Sequence, residues 1–163
     1  VCDFTADGSR LPTDAEWEYA SRRTKYGLQA GNLASGQIDE NGKSNPERDY
    51  LERSWDVENS DGARPVGISG TLFVPDTIPE CGSGCANGAG IYDMSGNVLE
   101  WCWDWFDDYT KTNGSYGPTV GEQRTARGGS FSEYTPFVYC GDRYSYDPNE
   151  AYKYTGFRLC QSR

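Results

Sequence analysis

Six cysteines stand at positions 2, 81, 85, 102, 140 and 160, and the closest two, Cys81 and Cys85, share a Gly-rich loop. Such a pair can close a small disulfide, remain as thiols, ligate a metal or do redox chemistry. An all-cysteine zinc site wants a second close pair, and there is none. Oxygen donors gather at Asp93, Glu100, Asp104, Asp107 and Asp108. What is missing narrows the chemistry further. Among 163 residues there is no histidine. That removes Ser/His/Asp and Cys/His nucleophilic catalysis, Cys/His zinc sites and the two-His, one-carboxylate iron site, because each needs an imidazole. The remaining concentration is aromatic: Tyr134, Tyr139, Tyr144, Tyr146, Tyr152 and Tyr154, half of the 12 tyrosines, fall within residues 131–155 beside Phe131, Phe137, Asp142, Asp147 and Asn149.

With 15 Lys+Arg against 25 Asp+Glu the net charge is −10. No basic stripe offsets it, which argues against nucleic acid or an anionic membrane as partner. No run approaches the roughly 20 apolar residues of a spanning helix, and Val1-Cys2-Asp3-Phe4 does not open a secretory signal. Six cysteines are too sparse for a disulfide scaffold, yet their even number suits an oxidising compartment.

These groups need elements to hold them. Thr13 with Glu16 forms a capping box, with acids in the first turn, and predicts a helix over 13–23. Residues 27–70 carry Gly, Asn, Ser and Asp at short intervals and read as long ordered loop, with one short helix near 46–53. Residues 71–75 are strand-like and run into the Gly-rich cysteine loop. From Val98 onward the sequence alternates, placing Val98, Glu100, Cys102 and Asp104 on one face and Leu99, Trp101, Trp103 and Trp105 on the other, which predicts a strand whose tryptophan face is core. Residues 125–131 read as a strand broken at Gly128-Gly129, and 155–160 as a closing strand. No repeat or linker divides the chain, so residues 1–163 are expected to form one domain.

Four ordered blocks then resemble a known family: Arg10-Leu11-Pro12-Thr13-Asp14-Ala15-Glu16-Trp17-Glu18-Tyr19-Ala20, Gly90-Ile91-Tyr92-Asp93-Met94-Ser95-Gly96-Asn97-Val98-Leu99-Glu100-Trp101, Arg127-Gly128-Gly129-Ser130-Phe131 and Gly156-Phe157-Arg158-Leu159. The chain is similar to the formylglycine-generating enzymes, or sulfatase-modifying factors. The resemblance implies an α+β, C-type lectin-like fold with a small twisted antiparallel sheet, two helices and much ordered loop. The family's segment upstream of the first block is missing, which reads as a shortened member or a fragment. In that enzyme two cysteines after the Arg-Gly-Gly-Ser block hold copper as thiolates. The matching positions here are Ser132 and Thr135, so the resemblance does not extend to oxidase activity. Cys140 matches a structural cysteine whose partner position is Ser21.

The chain also resembles the variable proteins of diversity-generating retroelements, where this fold displays a diversified segment between a Gly-Gly-Ser-aromatic block and a Gly-Phe-Arg block. In such proteins asparagine codons of a template give way to codons for residues such as Tyr, Ser, Asp, Phe, Thr and Val. The expectation is a non-catalytic display protein binding through residues 131–155, with Ser132, Tyr134, Phe137, Tyr139, Asp142, Tyr144, Ser145, Tyr146, Asp147, Asn149, Tyr152 and Tyr154 as ligand contacts. Arg143 and Pro148 resemble fixed points, and Glu133, Glu150 and Lys153 lie outside the accessible codon set. Tyrosine gives large contact area with little rotamer entropy to lose. The competing reading makes these tyrosines core, which is ordinary when the hydroxyl finds a partner. Rivals from other classes are an oxidase or maturation factor and a glycan-binding surface module, although the Glu-Pro-Asn loop of calcium lectins is absent.

No cofactor is required by this reading. The resemblance offers one, a structural calcium held by Asn97, the Val98 carbonyl and Glu100, against the alternative of a hydrogen-bonded turn. It also implies a Cys2–Cys160 disulfide tying the termini together. Cys81 with Cys85 is a local pair, leaving Cys102 and Cys140 as buried thiols or a third bridge. The expected partner is a protein or glycan on another cell or particle, met by a monomer at the cell surface or outside the cell.

Overall fold

The computed structural model describes residues 8–24, 26–31, 35, 54–57, 60–66, 86–108, 117–134 and 137–161. The expected elements near 46–53 and 71–75 lie outside them. The described residues form an α+β arrangement of three small sheets and one helix: β1 (Ser9–Arg10), α1 (Asp14–Ser21), β2 (Arg23–Thr24), β3 (Gly27–Leu28), β4 (Leu99–Trp105), β5 (Arg124–Arg127), β6 (Arg143–Tyr146), β7 (Thr155–Gly156) and β8 (Cys160–Gln161).

The helix starts as its sequence dictates. Thr13 Oγ1 accepts the Glu16 amide at 3.2 Å and Glu16 Oε2 accepts the Thr13 amide at 2.8 Å, closing the capping box. Arg10 grips both carboxylate oxygens of Glu16 at 2.7 Å, which holds that acid at a pKa of about 2. The helix ends at Ser21, two residues short of expectation, because Arg23 and Thr24 turn into a β2–β3 hairpin and Asn87 Nδ2 donates to the Ala20 carbonyl at 2.7 Å.

The main sheet runs β6-β5-β4-β7, antiparallel except for the parallel β4–β7 pair. β1 pairs with β8, matching Arg10 with Cys160. The two ends of the described chain are thus joined by backbone pairing. Cys160, the expected partner of Cys2, is a free thiol that accepts a hydrogen bond from Arg10 Nη1 at 3.0 Å. Cys102 and Cys140 are also free and buried, while Cys2, Cys81 and Cys85 lie outside the described residues.

Alternation along β4 is present, but beyond fully buried Leu99 the buried side is the other one. Glu100, Cys102 and Asp104 point inward against α1, whereas Trp101, Trp103 and Trp105 are half-exposed. The apolar core consists instead of Trp17, Trp55, Met94, Leu99, Ala126 and Val138 with the two buried cysteines. The inward face tolerates polar side chains because each meets a counter-charge or donor from the helix or from a late strand. Arg127, fully buried, is ion-paired with Asp14 at 2.6 Å and with Glu18, and donates to the Cys140 and Asp142 carbonyls at 3.1 and 2.6 Å. Arg143 reaches the other Asp14 oxygen at 2.7 Å. Glu100 accepts Trp17 Nε1 at 2.6 Å and pairs with Arg158 at 2.5 Å, and Asp104 accepts the Asp14 amide at 2.6 Å.

Two glycines permit the close approaches that complete this body. At Gly96, with φ +74°, a Cβ would stand 2.1 Å from the Trp55 carbonyl oxygen, and at Gly129, with φ +69°, 2.5 Å from that of Phe137. The Gly pair therefore ends β5 and lets the loop over 137–140 close onto it.

Replacing Arg127 by Met removes the buried counter-charge shared by Asp14 and Glu18, leaving Arg143 to Asp14 and Arg22 to Glu18, and takes the donors from the Cys140 and Asp142 carbonyls. The expected loss is about 3–5 kcal/mol of unfolding free energy. Urea denaturation followed by tryptophan fluorescence measures it, and a loss below 1 kcal/mol would contradict this account of the inner face.

Candidate ligand-binding surface

Cross-strand register decides which residues share the outer face. Trp101 pairs with Ala126 and Ala126 with Tyr144; one step on, Trp105 pairs with Arg124 and Arg124 with Tyr146. Directly paired residues project to the same side. Trp101, Trp105, Arg124, Tyr144 and Tyr146 therefore stand together on the side away from α1, with fully buried Ala126 beneath them. β6 alternates accordingly, with Arg143 and Ser145 turned toward the helix side and Tyr144 and Tyr146 away from it.

Tyr152 and Tyr154 join this face from the segment leading into β7. Trp101 meets Tyr146 edge-on at 6.2 Å between ring centroids, Tyr146 and Tyr152 are 4.7 Å apart, and Tyr154 lies about 6 Å from both, at 6.1 and 6.0 Å. All four rings are half-exposed. They are neither core nor isolated surface residues: each is fixed by its neighbours and still presents an edge or face to solvent. Burial pushes the Tyr146 hydroxyl up to about 12, with the nearby Tyr154 and Glu133 adding to it. The Tyr146 hydroxyl is therefore uncharged at neutral pH.

The other expected contacts divide. Tyr134 and Phe137 are well exposed, at 61% and 50%, and the Tyr144 hydroxyl donates to the Phe137 carbonyl at 2.5 Å, tying their loop to β6. Burial, followed by the charge of Asp142, raises the pKa of that hydroxyl as well. Ser132 is exposed, with its hydroxyl 2.9 Å from that of Ser130. Asp142 accepts the Tyr139 amide at 3.1 Å, and Asp147 Oδ1 accepts the Asn149 backbone and side-chain nitrogens at 2.9 Å. These two acids shape turns, and Ser145 lies opposite buried Thr125 on the inner side. The surface is thus more aromatic than the expected list. Trp101, Trp103, Trp105 and Arg124 belong to it, although the sequence reading assigned the tryptophans to the core. The signal was available in part, because a strand with Glu, Cys and Asp on one face and Trp on the other leaves open which side is buried.

The residues proposed for calcium are already engaged. Asn97 exchanges two hydrogen bonds with the Arg64 backbone, at 2.8 and 3.0 Å, and Glu100 is held by the Arg158 guanidinium and the Trp17 indole. A cation at the Glu100 carboxylate would face a guanidinium 2.5 Å away, so these groups do not fit calcium as they stand. Among the described residues no cluster of three or more His, Cys, Asp or Glu is arranged to hold a metal. At the first copper position Ser132 offers a hydroxyl where a thiolate is needed, and Thr135 lies outside the described residues. Cys140 and Ser21 are both fully buried and lie near each other, the proximity that the matching pair implied; Ser21 Oγ donates to the Glu18 carbonyl at 2.9 Å and Cys140 Sγ accepts from Gln29 Nε2 at 3.3 Å. Burial pushes the Cys140 thiol up to about 11.

The model of the sulfatase-modifying factor enzyme 1-like domain matches residues 3–163. Formylglycine-generating enzyme of Mus musculus is 31% identical over 170 residues, covering 97% of this chain and 40% of that protein. Among solved structures, variable protein 1 of Treponema denticola superposes with a TM-score of 0.71 at 28% identity, covering 99% of this chain and 50% of that one. PvdO from Pseudomonas aeruginosa superposes at 0.62 with 22% identity, over 95% of this chain and 53% of that one, a likeness of fold alone. The chain thus spans about half or less of the proteins it matches, and its fold is C-type lectin-like.

Two outcomes follow. Because the folded state holds Tyr144 and Tyr146 protonated above the ordinary tyrosine pKa near 10, the unfolded chain ionises first as pH rises. Stability is unaffected by these groups below pH 10 and falls between about pH 10 and 12; melting temperature against pH, with absorbance at 295 nm for tyrosinate, checks this. Ser21→Cys should form a disulfide with Cys140 under oxidising conditions and stabilise by about 2–4 kcal/mol; a thiol count that still shows two free cysteines at these positions would contradict the contact.

Proposed function

The chain belongs to the family of sulfatase-modifying factor enzyme 1-like domains, and from that membership we propose that it uses the fold for recognition and not for oxidation. It is a non-catalytic display protein, of the type found with diversity-generating retroelements, binding a protein or glycan through the aromatic face. The observation that carries this reading is the packed, half-exposed cluster of Trp101, Tyr146, Tyr152 and Tyr154, with centroids 4.7 to 6.5 Å apart, on a sheet whose opposite face is locked by buried ion pairs. Rigid amphipathic rings lose little entropy on binding, and clusters of Tyr and Trp supply most of the energy of such contacts. The superposition with a protein named a variable protein supports it, as does Ser132 at a position where the oxidase reading needs a thiolate.

On this reading the ring-bearing positions vary and Arg143 does not. Arg143 is ion-paired to Asp14, donates to the Asp107 carbonyl at 2.8 Å and lies over the Phe106 ring at 4.9 Å, so a change there would unseat β6 from the helix. On the same reading the protein works as a monomer at the cell surface or outside the cell, meeting ligands on other cells or particles. No helix among the described residues is long and apolar enough to cross a membrane.

The test is the triple replacement of Tyr146, Tyr152 and Tyr154 by Ala, screened beside the parent on protein and glycan arrays. The parent is expected to bind specific spots, and the variant to lose that binding at least 100-fold while its melting temperature drops by only a few degrees. Collapse of the fold would make the rings core. Copper-dependent oxidation of a cysteine-containing sulfatase peptide by the parent would establish the enzyme instead.

A further inference from the structure

Arginines of this chain lie over aromatic rings throughout the fold: Arg127 over Trp17 at 5.3 Å, Arg23 over Tyr19 at 5.7 Å, Arg64 over Trp55 at 5.5 Å, Arg143 over Phe106 at 4.9 Å, and Arg124 over Trp105 at 3.6 Å and Trp103 at 5.1 Å. The outer cluster breaks this pattern. Among the described residues no cation lies over Trp101, Tyr146, Tyr152 or Tyr154. Arg124 stands opposite Tyr146 on β5, yet its guanidinium turns the other way, onto the β4 indoles. The three tyrosine rings are tilted by 31 to 59° to one another, so none is stacked face to face. Their centroids lie within 6.1 Å of each other, and one cation seated over them comes within about 6 Å of all three, the reach of a cation–π contact.

Carboxylates rim the same rings. Glu150 Oε2 accepts the Tyr152 hydroxyl at 3.2 Å, the charge of Asp147 reaches that hydroxyl too, and the charge of Glu133 acts on both Tyr144 and Tyr146. Residues 131–155 hold four acids, Glu133, Asp142, Asp147 and Glu150, against Arg143 and Lys153. Arg143 is committed to buried Asp14, which leaves the exposed Lys153 as the segment's remaining cation. Among the described residues Glu133, Asp147 and Glu150 have no ion-pair partner. Glu133 precedes β6, and Asp147 and Glu150 follow it, so negative charge brackets the cluster from two sides. A lone ammonium group would meet one of these ends; a chain carrying several cations meets both.

We propose that the partner of this face is a basic polypeptide segment, whose arginine or lysine side chains lie over Trp101, Tyr146, Tyr152 and Tyr154 while Glu133, Asp147 and Glu150 meet their charge. Arginine, tyrosine and tryptophan carry much of the energy of protein interfaces, and complementary charge sets orientation and on-rate. The inference rests on the display reading and deepens it, choosing protein over glycan and giving the partner's charge. Glu133 and Glu150 lie outside the codon set open to such diversification, so the negative rim persists while the rings change. Each variant surface then favours basic partners.

A random dodecapeptide library displayed on phage and selected against the immobilised parent at physiological ionic strength tests this. Enrichment of Arg- and Lys-rich peptides is expected. Those peptides, synthesised and labelled, should bind E133Q/D147N/E150Q about 10-fold more weakly than the parent, the scale of three exposed charge contacts. The amides keep the side-chain oxygens that accept the Asn149 nitrogens and the Tyr152 hydroxyl, so this variant should melt with the parent. A chain of net charge −10 attracts any polycation. D61N/D108N/E122Q therefore serves as control, because it removes equal charge from exposed positions outside the segment and should bind within about 2-fold of the parent. The inference is overturned if neutral or acidic peptides are enriched, if none is, or if the two charge variants weaken binding equally. Ligands that need Tyr146, Tyr152 and Tyr154 but ignore E133Q/D147N/E150Q sink the basic partner and keep the display surface. Peptides that bind the tyrosine triple variant as they bind the parent sink both.

Discussion

A guanidinium sealed inside the protein sets the terms for everything around it. Arg127 has no exposed surface, so its charge must be met in full from within. Asp14 and Glu18 meet it from α1, and the carbonyls of Cys140 and Asp142 meet it from the loop that delivers β6. One side chain on β5 therefore fixes the helix to the sheet and the loop to both. The capping box gains a second meaning here. Asp14 is the first residue of α1, and the same side chain that suits the positive end of the helix dipole pairs with Arg127 and Arg143. Removing Asp14 would leave both Arg127 and Arg143 short of a counter-charge, so this one carboxylate carries more of the network than any other.

This arrangement inverts the usual layering of a small sheet. With the inner face occupied by ion pairs and a few apolar groups, the large rings that would ordinarily make a core are displaced to the outside. Trp101, Tyr146, Tyr152 and Tyr154 pack on each other, and Trp101 and Tyr144 flank buried Ala126, so among the described residues the outer face is held by its own contacts. Such a face resembles one half of an interface: apolar, rigid and open. The competing readings of the tyrosines, as core or as surface, thus both describe part of what they do.

Much of this was legible in the sequence where the signal is local. The helix start, the break at Gly128-Gly129 and the strand from Leu99 follow from capping, glycine and alternation, and each lies within a residue or two of its expected place. The hidden side of β4 was not legible. Periodicity separates two faces without saying which is inward, and hydropathy then favours the tryptophan face. The choice is reversed by Arg127, Arg143 and Arg158: the first two lie 109 to 129 residues from the α1 acids they pair with, and Arg158 lies 58 residues from Glu100, so no window holds both partners. Trp17 and Trp55 are core for the same non-local reason. Asp142, Asp147 and Asn149 were expected to touch a ligand because polar residues between tyrosines suit a binding loop; the two Asp side chains also accept backbone amides, and the Asn149 side chain donates to Asp147, an ordinary use of Asp and Asn in turns.

The strand pleat also limits how much of this surface can change. On β6 only alternate residues reach the outer face, and the inward ones are committed: Arg143 to Asp14, and Ser145 to its place opposite fully buried Thr125. A sheet can therefore offer one changeable position in two. Loops carry no such limit, since their backbone geometry is held by a few amide-capping side chains while the residues between them project freely. The tyrosines follow this division. Two lie on β6, and the others flank it in the turns before and after, where Asp142 and Asp147 hold the backbone. A recognition surface that changes without loss of the fold is best built this way, with a short strand as anchor and capped turns on either side.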